Sequence, residues 1–233
     1  MPLPQQCIHL MEKISMKDLA IYGMGGFGRE VACLVNFINE NEKEPRWNLI
    51  GFIDDGVEKG TCCEYGECLG GLSTLNSWLT PLDVAVAIAK PSTLKEVVSN
   101  ITNSRISFPN IVPPDVCLFD ASSFRMGKGN IIQRMCQFSC NVELGDFNIF
   151  NFRTVVGHDS VFGNFNSVMT DAGIMGNVQI GDLNYIGTHS VILQGIKVGN
   201  DVIVAAGSVV MRRPKEGYTY MGIPANAWLM TKK

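Results

Sequence analysis

Between Met126 and Val210 every sixth residue is apolar. The series runs Met126, Ile132, Phe138, Leu144, Phe150, Val156, Phe162, Val168, Ile174, Ile180, Ile186, Ile192, Val198, Val204 and Val210, without an insertion. If roughly half of all positions are apolar, a chosen register gives such a run by chance about once in ten thousand or less. A second row stands two residues earlier: Cys136, Val142, Asn148, Thr154, Ser160, Asn166, Ala172, Val178, Asn184, Ser190, Ile196, Val202 and Ser208, most of them small. Glycine often follows the apolar residue, at 127, 145, 157, 163, 181, 187 and 199, which reads as a conformationally permissive corner. A period of six fits neither an α-helix nor a strand-and-turn meander. It predicts a parallel β-helix in which each six-residue unit forms one flat side of a prism, three units make an 18-residue coil, and stacked coils bury the inward rows.

The N-terminal part has a different pattern. Residues 18–22, Asp18 and the apolar stretch after it, read as a short buried strand, followed by Gly23-Met24-Gly25-Gly26-Phe27-Gly28, and then Val31, Leu34, Val35 and Ile38 at helical spacing. Strand, glycine-rich turn and helix in that order place free N–H donors at a helix N-terminus, where an anion is bound. Further strands are predicted over 47–53, ending in Asp54-Asp55, and over 84–89, leading through Lys90-Pro91-Ser92 to a short helix over 94–98. Only half of a dinucleotide-binding fold fits into this length, which favours a mononucleotide or nucleotide-sugar over NAD. Prolines 109, 113 and 114 mark a linker. The expected organisation is an extension at 1–15 and a Rossmann-like half-domain at 16–107. A linker and first β-helix entry follow at 108–125, then the β-helix at 126–213 and a tail at 214–233.

Composition narrows the function. With 19 Lys plus Arg against 22 Asp plus Glu, the chain is mildly acidic and has no basic block, so it lacks the electrostatic footprint of a nucleic-acid binder. It carries no run of about 18 apolar residues that would span a membrane, and its first residues show no compact apolar segment before a small-residue cleavage site, so a cytoplasmic protein without a secretory signal is expected. The eight cysteines form no Cys-x-x-Cys pair, and no His-x-x-x-His accompanies them; reduced thiols and no metal are expected.

Taken in order, IYGMGGFGREV, GFIDD, LGGL, NFRTVVGHDSVFGNF, GNVQIG and GIPA resemble the hexapeptide-repeat acyltransferases of the sialic-acid O-acetyltransferase and UDP-4-amino-sugar N-acetyltransferase type, the latter acting on the route to bacillosamine. The resemblance covers about residues 17–228. It implies a left-handed prism, a homotrimer with active sites between neighbouring prisms, a nucleotide-sugar on the N-terminal domain and acetyl-CoA on the β-helix. By that resemblance Gly25, Gly26, Phe27, Asp54 and Asp55 contact the nucleotide. His158 is the general base, followed by Asp159, with Asn151 seven residues earlier. Ser167, Gly176, Thr188 and Ala206 line the acyl-CoA site. Two positions depart from the bacillosamine-type pattern: Ser167 and Phe27 stand where that subgroup has histidines.

Acyl transfer from a thioester needs a base, an oxyanion donor and limited water. Histidine exchanges protons near working pH, and a neighbouring carboxylate can orient its ring. Adjacent strand residues point to opposite faces, so His158 and Asp159 can cooperate only at a corner. The backbone N–H of Gly176 is the oxyanion-donor candidate. The first functional reading is acetyl transfer to the amine of a nucleotide-linked sugar. Transfer to a hydroxyl of sialic acid or another sugar is the alternative. A nonenzymatic nucleotide-sugar-binding trimer and an NAD-dependent oxidoreductase are the readings from other classes.

Overall fold

The computed structural model describes residues 16–228. The proposed extension at 1–15, with His9 and Cys7, and the last residues of the tail lie outside the described residues.

The N-terminal part is a six-stranded sheet flanked by helices. Its elements are β1 (Lys17–Tyr22), α1 (Gly26–Asn41), β2 (Trp47–Ile53), β3 (Cys62–Cys63), β4 (Gly66–Gly70), α2 (Leu72–Asn76), β5 (Leu82–Val86), α3 (Pro91–Asn100) and β6 (Ile106–Ser107). The strand order is β3-β4-β2-β1-β5-β6, parallel except for the β3/β4 hairpin. Helix α1 buries Val31, Leu34, Val35 and Ile38, the stripe that the helical spacing predicts. The third predicted strand is shifted: β5 ends at Val86, and the chain reaches Pro91, whose fixed φ and missing N–H suit a first helical turn, so α3 starts earlier than expected. The β3/β4 hairpin and α2 are too short to leave a periodic signal.

The rest of the described chain is a three-sided left-handed parallel β-helix. Two-residue strands pair with strands 18 residues away, as Gln137–Phe138 does with Val155–Val156. Face one runs from Cys117–Leu118 to Val209–Val210, and face two from Arg125–Met126 to Lys197–Val198. Face three runs from Ile131–Ile132 to Thr219–Met221 and is closed by the antiparallel strand Asn226–Trp228. From Ile132 onward the six-residue apolar row is buried; Met126 is 38% exposed because its strand is the open end of face two.

The row two residues earlier is also inside, and its asparagines do more than fill space. Asn130, Asn148, Asn166 and Asn184 stack at 18-residue intervals, and each Oδ1 accepts the backbone N–H of the residue one coil on (Asn148, Asn166, Asn184 and Val202) at 2.8–3.0 Å. Their amides also bond to one another, at 3.2 Å for Asn148 to Asn130 and 2.9 Å for the two pairs above. This ladder satisfies polar groups that no water reaches.

The glycines after the apolar row act differently from the expectation. The left-handed corner falls two residues later, at non-glycine residues such as Phe147, Arg153, Asp159, Phe165, Leu183 and His189, with φ of 55–63°. The glycine is required because coils approach closely: a Cβ on Gly145 would lie 2.5 Å from the Gly163 carbonyl oxygen, and one on Gly157 2.5 Å from the Gly176 nitrogen.

The two parts meet through residues 108–114, where Ile111 bridges to Ile131 and Phe108 packs edge-on against Phe147, itself stacked on Phe165. Ile131 and Ile149, on the outer side of face three, join the apolar core of the N-terminal sheet.

Candidate active site

His158 lies at the corner between faces one and two. The next residue, Asp159, takes the left-handed conformation (φ 57°) that turns the chain from one face to the next. Both side chains therefore lie on the same side, as a flat strand would not allow. His158 Nδ1 is 2.7 Å from Asp159 Oδ2, and Asp159 Oδ1 accepts Asn141 Nδ2 at 2.9 Å. The bond from His158, then that from Asn141, holds the Asp159 carboxyl below the usual carboxylate range. An ionised Asp159 selects the tautomer with the proton on Nδ1 and leaves a lone pair on Nε2. The ring is half exposed, so Nε2 is reachable from solvent.

The imidazole packs over Gly176, one coil on. A Cβ there would stand 2.4 Å from Nε2, 2.7 Å from Cε1 and 2.8 Å from Cδ2. The N–H groups at this corner, of Cys140, His158, Gly176 and Gln194, have no acceptor among the described residues and differ in this from those at the next corner. At the corner between faces two and three, the equivalent N–H groups of Lys128, Asp146, Asn164 and Asp182 donate to Asp146, Asn164, Asp182 and Asn200 side chains at 2.7–2.9 Å. Among the described residues Gly176 N–H has no such acceptor; only its carbonyl is engaged, by Gly195 N–H at 3.0 Å. With Gly157 leaving room beside it, this N–H is an open donor next to His158.

The other sequence-derived residues do not join this corner within one chain. Asn151 sits at the opposite edge of face one, its Oδ1 accepting Phe152 N–H at 2.8 Å. Thr188 and Ala206 lie along that same far edge, where Gly187 opens the approach to Ala206 N–H: a Cβ on Gly187 would be 2.6 Å from that nitrogen. Ser167 is on the outer side of face three between Ile149 and Tyr185, fully buried, with its hydroxyl unpartnered.

At the N-terminal mouth, Gly25 caps α1 and Gly26 opens it; both are exposed, and a Cβ on either would meet nothing within 4 Å. No side chain caps this helix end, so its first-turn N–H groups remain free of a side-chain acceptor. Phe27 is half buried against the sheet core. Asp54 and Asp55 are tied into the fold. Asp54 accepts Met24 N–H and Gly56 N–H, each at 2.8 Å, and Asp55 accepts Leu72 N–H at 2.8 Å and the Tyr22 hydroxyl. Burial and then the bond to Asp55 push the Tyr22 phenol upward from its ordinary value. Each carboxylate oxygen retains a lone pair for a ligand hydroxyl.

The sequence reading missed Asn141 and Tyr22. Asn141 stands 18 residues before Asp159 and was visible as a coil neighbour; Tyr22 carried no signal. Among the described residues no group of three His, Cys, Asp or Glu side chains is arranged to hold a metal, the described cysteines are free, and no helix is long and apolar enough to cross a membrane.

Residues 18–101 match the PglD N-terminal domain family. The acetyltransferase domain of PglB from Neisseria gonorrhoeae FA1090, solved with acetyl coenzyme A, superposes with a TM-score of 0.82 at 27% identity, over 92% of this chain and 100% of that one. WeeI from Acinetobacter baumannii AYE gives 0.80 at 27% identity, over 92% and 100%. PerB from Caulobacter crescentus, solved with CoA and GDP-perosamine, shares the fold at 21% identity, with a TM-score of 0.80 over 92% and 98%.

Proposed function

We infer that this chain, which belongs to the hexapeptide-repeat sugar acyltransferases with a PglD-type N-terminal domain, moves an acetyl group from acetyl-CoA to the amine of a nucleotide-linked amino-sugar. The observation that carries the reading is the corner itself: His158 oriented by Asp159, with Nε2 free and an unpaired Gly176 N–H beside it.

In this mechanism His158 Nε2 takes a proton as the amine nitrogen attacks the thioester carbonyl carbon. Gly176 N–H stabilises the negative charge that develops on the carbonyl oxygen. The C–S bond then breaks, and the proton held by His158 passes to the CoA sulfur. Asp159 stabilises the imidazolium in between. The glycine loop and the first turn of α1 hold the nucleotide's phosphates, and Asp54 and Asp55 accept its hydroxyls. Asn151, Thr188 and Ala206 lie across face one from His158, so a second copy of the chain supplies them in a trimer whose active sites lie between prisms.

The test is CoA-thiol release from acetyl-CoA over a panel of UDP- and dTDP-amino-sugars, with wild type against His158→Ala. Loss of a general base lowers the rate roughly 100- to 10,000-fold. Equal release by the two proteins removes His158 from the mechanism. No release with any amino-sugar, but release with a sugar hydroxyl acceptor, replaces amine transfer with O-acetylation.

A further inference from the structure

The nucleotide mouth and the acyl-transfer corner belong to different parts of the chain, and transfer requires a fixed angle between them. Among the described residues no hydrogen bond or ion pair joins residues 16–107 to the coils; the junction is the 108–114 segment, apolar packing and one cation. That cation is Arg134. It follows the strand Ile131–Ile132 at the start of the corner between faces three and one. Its Nε donates to Asp115 Oδ2 at 2.7 Å, which fixes the guanidinium to the first coil. Its Cζ lies 3.8 Å from the ring centroid of Phe37.

Phe37 is on α1, the helix whose N-terminus carries Gly25 and Gly26. Eleven residues separate Gly26 from Phe37, about 16 Å of helix at 1.5 Å per residue. A helix transmits a tilt at one end to the other. A planar guanidinium stacked on a ring resists both sliding and tilting, as a lysine ammonium would not.

We propose that Arg134 is a positioning residue: held on the prism by Asp115 and stacked on Phe37, it sets the angle at which the nucleotide mouth is presented to the acyl-transfer corner. The proposal rests on the acetyl-transfer reading above for its consequence in turnover. The docking itself does not depend on that reading.

The test uses the full chain with Arg134→Ala, Phe37→Ala, the double variant and Arg134→Lys. Each alanine variant is expected to lower kcat/KM for the nucleotide-sugar roughly three- to thirty-fold, the range of one partly desolvated cation–π contact. The KM for acetyl-CoA stays within about twofold, because the prism is intact. The double variant is no worse than either single one, since both break the same contact. Arg134→Lys, which keeps the charge near Asp115 without the plane, falls between wild type and Arg134→Ala. Amide hydrogen exchange without substrate provides the second readout: faster exchange over 108–114 in the alanine variants, with the coils unchanged. Equal losses toward both substrates, or single effects that multiply in the double variant, overturn the proposal. If wild type turns over no sugar, the acetyl-transfer reading fails; exchange then decides the docking role, and unchanged exchange in Arg134→Ala overturns it.

Discussion

Replacing Gly176 by alanine separates catalysis from stability. A Cβ at this position would be 2.4 Å from His158 Nε2, whereas ordinary contacts begin near 3.4 Å, so the ring must retreat by about 1 Å. The ring is half exposed and can swing outward, which breaks the 2.7 Å bond to Asp159. Misplacing a catalytic group by about 1 Å costs on the order of 100-fold in rate. The folded state loses little. Gly176 does not have a positive φ, an exposed pair such as His158–Asp159 contributes at most about 1 kcal/mol, and the Gly→Ala change restricts the unfolded chain by about 0.4–1 kcal/mol in the opposite direction. The expected result is a kcat about 100-fold lower with a Tm within a few degrees of wild type. Steady-state thiol release and thermal denaturation measure the two quantities. A Gly176→Ala enzyme with wild-type kcat would show that His158 need not occupy this position during turnover, and the geometric case for it as base would collapse.

Other outcomes follow from the same coordinates. Asp159→Asn removes the carboxylate oxygen that holds His158 Nδ1 at 2.7 Å, so the ring loses the partner that fixes its orientation and tautomer. Steady-state thiol release is expected to show kcat lower on the order of 100-fold; a wild-type kcat argues against an orienting role for Asp159. Asn166→Ala leaves Asn184 N–H and Asn184 Nδ2 without their 2.9 Å acceptor in a dry interior, at about 1–3 kcal/mol per donor, or about 2–6 kcal/mol in all. Urea denaturation reads this directly, and a loss under 1 kcal/mol would mean that water enters the prism.

The prism was legible in the sequence because its signal is arithmetic. A flat side of six residues with two inward positions writes a period that no other fold produces, and the buried rows fall on it from Ile132 to Val210. The strand, glycine turn and α1 helix were equally plain, since Val31, Leu34, Val35 and Ile38 mark one face of a helix. His158 stood out only through the order of motifs around it. What the linear pattern could not carry was proximity between coils. The glycines after the apolar row looked like flexible corners, but neighbouring backbones 18 residues away make them necessary, while residues such as Phe147 and Leu183 take the left-handed positions. Asp159 joins His158 because the chain turns at that corner, and Asn141 joins Asp159 because one coil separates them. Asp54 and Asp55, read as ligand contacts, are also ties to Met24 and Leu72, which only the folded mouth reveals. The sequence by itself determined the architecture, through a repeat that must bury its rows. Which groups touch was decided by the tertiary structure, because the stacking distance between coils, and not separation along the chain, sets every contact at the site.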